Sequence, residues 1–205
     1  VFDLEELSYK AISDAIAKKD SKRLSMTVEY YPEEGKYHYD GHRNCNVSMS
    51  PEEAEKYGNR CPVCGKPLVI GVLHRVNELA DRPEGFVPKN ASKFVYAVPL
   101  LEVISYVTKK AKTTQYVKQI YSKLISQFGN EINVILNEDI ESIKNVDKEL
   151  AEAIENIRES KVNLIPGYDG VFGIVDMLNR MKKQETGFAS KQKRISDFDG
   201  NKFNI

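Results

Sequence analysis

Residues 41–66 read GHRNCNVSMSPEEAEKYGNRCPVCGK and hold all three cysteines of the 205-residue chain. Three thiols cannot form a closed set of disulfides, and they fall one short of a four-thiolate metal site. Cys61-Pro-Val-Cys64-Gly65-Lys66 has the form of a zinc knuckle. Two thiolates two residues apart reach one ion, because the chain turns tightly there and its amides point at the sulfurs. Upstream stands His42-Arg43-Asn44-Cys45, so the whole reads H-x2-C-x15-C-x2-C, four ligands for a closed tetrahedral zinc site. His38 or Asp40, in YHYDGH, are alternatives to His42 as the fourth ligand. Between the two pairs, Ser50-Pro51-Glu52-Glu53 has the N-cap, first-turn proline and capping-box glutamate of a helix start. A site filled by protein ligands is structural: it leaves no position for a catalytic water, and its binding free energy becomes folding free energy for a loop-rich segment with little core. The competing picture, three free thiols near a surface histidine, does not account for the paired spacing.

The bulk composition fits a globular chain. Hydrophobic residues make up 41 %, enough for a packed core, and no apolar run approaches a membrane span. VFDLEELSYKAISDAI lacks the basic and apolar regions of a signal peptide. The expectation is a cytoplasmic, thiol-reducing setting, where metal binding is favoured over disulfides. A start at Val1 without methionine is expected of a piece of a longer protein. Net charge is zero but unevenly spread. Residues 103–128 carry five lysines and no acid, residues 131–160 nine acids against three bases, and the tail from Arg180 seven bases against three acids. Blocks of one sign fit a polyanion partner on the basic faces, or simply solvated helix faces.

The expected fold class is α+β: a small zinc-ribbon-like domain followed by a mainly helical domain with a β-hairpin. Ser8 caps a short helix with Tyr9, Ile12 and Ile16 on one face, and a β-branched, aromatic strand follows at residues 26–31. Residues 67–73 read as a strand. Thr113 or Thr114 caps an amphipathic helix with Val117, Ile120, Tyr121, Leu124, Ile125 and Phe128 at helical spacing, stopped by Gly129. Residues 128–136 are either extended or helical. Asp147 caps a further helix striped by Leu150, Ile154 and Ile157. Strands at 162–165 and 171–175 flank the turn Pro166-Gly167-Tyr168-Asp169-Gly170.

PEEGKYHYDGHRNC, CPVCGKPLVIGVLHRVNELADRPEGF and IPGYDGVFG together resemble the C-terminal portion of endonuclease Q, a repair nuclease of archaea and some bacteria. The resemblance covers roughly residues 1–173. It implies a PHP domain upstream, a zinc-binding domain and a C-terminal helical domain. The corresponding division is 1–24 for the end of the PHP domain, 25–90 for the zinc domain, 91–178 for the helical domain and 179–205 for a flexible tail. The resemblance implies that the further metal ions of the PHP domain and all catalytic residues lie upstream of residue 1 or on a separate chain; the three histidines include no H-x-H pair, which agrees. The implied activity is nicking of DNA 5′ to deaminated bases (uracil, hypoxanthine, xanthine) and abasic sites. PHP metals would activate the water, and this chain would grip DNA and help read the lesion. On that reading, His74, Arg75, Glu78 and Arg82 contact phosphates or a base edge, Lys109, Lys110 and Lys112 track phosphates, and Gly167, Tyr168, Asp169 and Gly170 present an aromatic to the duplex. The alternatives are a salt-bridged helix face and a packed hairpin turn.

In the tail, Gln192, Ile195 and Phe198 form Q-x-x-I-x-x-F, which resembles the peptide that docks repair proteins on a sliding clamp; Asp199 stands where a second aromatic is usual. Two other readings compete with the nuclease: a zinc-ribbon interaction module docking a helicase or clamp, and an RNA-binding zinc protein.

Overall fold

The computed structural model describes residues 1–18, 22–89 and 91–181. In chain order these form α1 (Tyr9–Ala17), β1 (Met26–Glu29), a 3₁₀ turn (Pro32–Glu34), β2 (Asp40–His42), a 3₁₀ turn (Arg43–Cys45), β3 (Val47–Met49), α2 (Pro51–Lys56) and α3 (Val72–Leu79). Then follow β4 (Lys93–Tyr96), α4 (Leu100–Thr108), α5 (Gln115–Phe128), a π turn (Asn133–Asn137), α6 (Ile140–Lys144), α7 (Lys148–Arg158), β5 (Asn163–Ile165) and β6 (Ile174–Asp176). The fold is the expected mixture of helices and small sheets. Contacts gather it into two compact units: Val1–Tyr30 with Val87–Lys161, and Tyr31–Phe86 with the segment from Val162.

The helical unit is built on apolar stripes. Leu100, Val103, Ile104 and Val107 of α4, Val117 and Leu124 of α5, and Leu150, Ala151, Ile154 and Ile157 of α7 are all buried. Side-chain caps fix the helix starts: Ser8, Thr114, Asp139 and Asp147 each accept the backbone N–H three residues on. Gly129 ends α5 at φ +90°, a conformation that a side chain disfavours. The stretch 133–137 is a π turn with Val134, Ile135 and Leu136 buried. The strand expected at 26–31 runs 26–29 and pairs in parallel with β4, Met26 opposite Lys93 and Glu29 opposite Tyr96. This pairing draws residues 26–30 into the helical unit. On α1, Tyr9 and Ile16 are exposed and Ala15 is buried, so the expected apolar face is not covered by the described residues.

The second unit joins the zinc-ribbon segment to the hairpin. β2 and β3 run antiparallel, His42 opposite Val47, and β5 pairs antiparallel with β6, Asn163 opposite Asp176. The hairpin lies in this unit because its loop hydrogen-bonds to residues 33–39. Gly167 N donates to Glu33 O (2.8 Å), Gly170 N to Lys36 O (3.0 Å), Gly173 N to Glu34 O (3.1 Å), and Tyr39 N to Gly167 O (2.9 Å). Residues 67–73 are not a strand. Val69 exchanges two hydrogen bonds with Gly41, and the chain then enters α3 at Val72. The turn is imposed by Asp40, whose carboxylate accepts Gly71 N at 2.6 Å, and by Val72 N and Leu73 N donating to the Tyr37 and His38 carbonyls. The second hairpin strand starts at 174 rather than 171, because Tyr168 and Val171 close a turn with Asp169 and Gly170 at positive φ.

Candidate metal centre

His42 ends β2, Cys45 lies in the turn before β3, and Cys61 and Cys64 lie in the knuckle after α2. The knuckle is closed by Cys61 N donating to Lys66 O, Gly65 N to Cys61 O, and the Arg60 guanidinium to Gly65 O at 3.0 Å. Between the two turns, the Ser50 capping box forms as expected and starts α2. A small core of Val47, Ala54, Cys61 and Leu68 packs against Cys45 and Met49. The four donor atoms of His42, Cys45, Cys61 and Cys64 all lie within 4.8 Å of one another. The His42 Nδ1 to Cys64 Sγ distance is 3.5 Å; tetrahedral zinc with ordinary bond lengths requires about 3.6 Å between such atoms. The donor set and its spacing therefore fit a metal ion.

The electrostatics lead to the same conclusion. Burial and the adjoining Cys64 and Cys61 thiols push the Cys45 thiol up to about 11. At Cys61 burial also acts upward, but the N–H groups of Cys64 and Val63 and the neighbouring thiols outweigh it and hold the sulfur down at about 7. Without a cation, one thiolate is stabilised at the expense of the others; a dication removes that conflict.

The alternative fourth ligands are engaged elsewhere. Asp40 is fully buried and accepts from His74 Nδ1 at 2.6 Å. The His38 ring stacks on Tyr39, and burial holds it below its usual pKa range. His42 completes the set.

The structure redistributes the other expected contacts. His74, 5 % exposed, is turned inward to Asp40, tying α3 to β2 rather than facing a ligand. The hydrogen bond to Asp40 raises its pKa. Arg75 pairs with Glu78 at 2.6 Å on the exposed side of α3, and Arg82 lies over the Phe86 ring. In the helical unit, Lys109 caps α4, Lys110 sits 5.3 Å above the Tyr116 ring, and Lys112 pairs with Glu102 at 2.7 Å. The GYDG loop is spent on the protein itself. Tyr168 donates its hydroxyl to the Asn46 side chain (2.9 Å) and packs against Gly41, Asp169 accepts Arg43 N (2.6 Å), and Gly167 and Gly170 bond to the 33–36 backbone. Tyr168 is therefore a packed brace rather than a presented aromatic. The loop's exposed ring belongs to Phe172, which sequence reasoning placed inside a strand. Its hydrophobicity concealed it; the flanking Gly173, which weakens a strand and marks a close backbone approach, was the available signal. Gln192, Ile195 and Phe198 lie outside the described residues.

Residues 99–161 match the family described as the MJ0043 C-terminal domain. Over 158 residues the chain is 35 % identical to the uncharacterized protein MJ0043 of Methanocaldococcus jannaschii, covering 76 % of this chain and 20 % of that protein. Among solved structures, the lesion-specific endonuclease PfuEndoQ from Pyrococcus furiosus superposes with a TM-score of 0.76 and 29 % identity, over 88 % of this chain and 46 % of that one. The chain resembles endonuclease Q. Endonuclease Q in complex with a 27-mer duplex substrate carrying an abasic lesion at the active site matches with a TM-score of 0.73 and 29 % identity, over 90 % of this chain and 47 % of its own. The chain thus spans about half of each endonuclease Q structure and a fifth of the curated relative. No helix among the described residues is long and apolar enough to cross a membrane.

Proposed function

We propose that this chain is the zinc-held, DNA-gripping part of a repair endonuclease that nicks 5′ to deaminated bases (uracil, hypoxanthine, xanthine) and abasic sites. The observation that carries the reading is the match to a lesion-specific endonuclease along 88 % of the chain at 29 % identity. His42, Cys45, Cys61 and Cys64 would hold one zinc ion as a closed structural site. The ion supplies folding energy to the knuckles, and the hydrolytic metals belong to a PHP domain outside this chain. Lys109, Lys110, Arg75 and Arg82 are exposed and would contact phosphates. The tail would bring a sliding clamp through Gln192, Ile195 and Phe198.

The test is fluorescence anisotropy with duplexes that are matched, uracil-containing or abasic, across a salt series, with the chain alone and together with a PHP half. Tighter binding to the lesion duplexes, weakening steeply with salt, is expected. No lesion preference in the reconstituted pair refutes the assignment. A protein-docking module is the second reading, and one observation favours it: Val72, Val76 and Leu79 form an exposed apolar stripe on α3. Salt-insensitive DNA binding no tighter than that of a neutral control protein would select it.

A further inference from the structure

We infer that Phe172, with Lys36 over one face of its ring and Arg43 beside Gly170 of the same loop, forms a rigid tip that stacks on a base face exposed where duplex stacking is broken and grips the flanking phosphates. This inference rests on the DNA-binding reading above and names a contact surface for it.

Phe172 is 67 % exposed, although its loop is hydrogen-bonded on both flanks. Backbone hydrogen bonds from Gly167, Gly170 and Gly173 fasten the loop to residues 33–36. Side chains fasten its other flank: Asp169 takes Arg43 N and Tyr168 reaches Asn46. The two outer glycines are obligatory for this docking. A Cβ on Gly173 would enter the Glu33 carbonyl, and one on Gly167 would meet the backbone of Gly35, Gly173 and Val171. A loop this constrained pays no ordering entropy on binding, which is the condition for an aromatic contact to yield its full stacking energy.

Two cations stand near the loop. Lys36 Nζ lies 4.4 Å from the Phe172 ring centroid. On the other side of Gly170, the Arg43 guanidinium and the Tyr37 hydroxyl lie 3.4 and 3.6 Å from where that glycine's Cβ would be. Lys36, Tyr37 and Arg43 are all exposed. The loop's own acid, Asp169, is turned to the Arg43 amide. An apolar ring under a lysine ammonium, on a loop with an arginine guanidinium beside its Gly170, fits a base with its neighbouring phosphates.

The experiment compares the zinc-loaded 205-residue chain with Phe172→Ala, Phe172→Trp, Lys36→Ala and Arg43→Ala by anisotropy. The probes are a fluorescein-labelled duplex with a central tetrahydrofuran abasic site and the matched duplex. Phe172→Ala is expected to weaken binding to the abasic duplex roughly tenfold, to leave the matched duplex within twofold, and to keep the unfolding midpoint; Phe172→Trp restores affinity. Lys36→Ala and Arg43→Ala weaken both duplexes and each lower the salt slope by about 0.9. If the wild-type chain binds DNA and Phe172→Ala binds the abasic duplex as tightly, the tip assignment is overturned while the DNA-binding reading survives. If the wild-type chain binds neither duplex, both fall.

Discussion

Replacing Arg158 with methionine tests what holds the helical unit together. The guanidinium reaches from α7 to the π turn and donates to three carbonyls: Nε to Ile135 (2.7 Å), Nη2 to Val134 (2.9 Å) and Nη1 to Glu138 (2.6 Å). Those oxygens stand where the helical hydrogen-bond ladder runs out, so a fork of donors from another element satisfies them. A hydrogen bond to a charged donor contributes about 1.5–3 kcal/mol, so three sum to roughly 6 kcal/mol. Two costs oppose that sum. Burial draws the guanidinium pKa down to about 10, and fixing the long side chain costs about 2 kcal/mol. Those costs take up most of the sum, so the loss on substitution comes chiefly from three carbonyls left without a donor, about 1 kcal/mol each and about 3 kcal/mol in all. Methionine retains the stem's packing, so the loss isolates the hydrogen bonds; lysine, a single point donor, should recover about a third of it. Urea unfolding followed by far-UV circular dichroism measures the change, with the m-value expected to stay constant. Amide exchange over residues 133–143 should accelerate in step. If both variants lose less than about 1 kcal/mol, the guanidinium is not the support described.

Two further predictions concern the zinc unit. The wild-type chain should purify with about one equivalent of zinc, and chelation should accelerate amide exchange in residues 41–46 and 167–173 together; a metal-free chain with both segments protected would refute the closed site. The Asp40 hydrogen bond holds His74 protonated above its usual range, so its contribution is complete below the ring's unfolded pKa of about 6.5 and is lost as pH rises through the raised native value. At saturating zinc, wild-type stability should fall more than that of Asp40→Asn as pH rises above about 6.5, and parallel curves would exclude the coupling.

What the sequence revealed and what it concealed follow from the range of the forces involved. The four residues that could hold a metal, the Ser50 capping box and the helix starts at Ser8, Thr114 and Asp147 rest on spacings that the chain itself displays. The pairing of β1 with β4 joins residues 67 positions apart, and nothing local in MTVE or KFVY specifies the partner. Arg158 reads as one of three bases in the acidic stretch 131–160, and only the fold brings the carbonyls 20 to 24 residues upstream to it. His74 illustrates the converse error. Histidine in a run of charged residues reads as surface, but position 74 falls on the inner side of α3, where the buried Asp40 carboxylate needs a partner. The same desolvation argument removes Asp40 from the metal ligands: one carboxylate oxygen serves Gly71 N and the other His74.

The bracing of the hairpin gives the metal a route to the protein surface. The contacts from Asp169 and Tyr168 land on Arg43 and Asn46, the residues next to His42 and Cys45. An ion fixing His42 and Cys45 therefore fixes the backbone on which the loop rests, and through Gly170 and Gly173 it fixes the placement of Phe172. A closed site performs no chemistry, yet in this arrangement a bound ion would set the position of an exposed aromatic and of the lysine over its ring. A loop of seven residues with three glycines has little core of its own and would otherwise sample many conformations at a cost of about 1–2 kcal/mol per residue to order. Distributing that cost between backbone hydrogen bonds and a turn that a metal would hold accounts for the inward contacts of GYDG. The residues most easily read as a binding motif are the ones that hold the loop in place, and the contact surface passes to the residue beyond them.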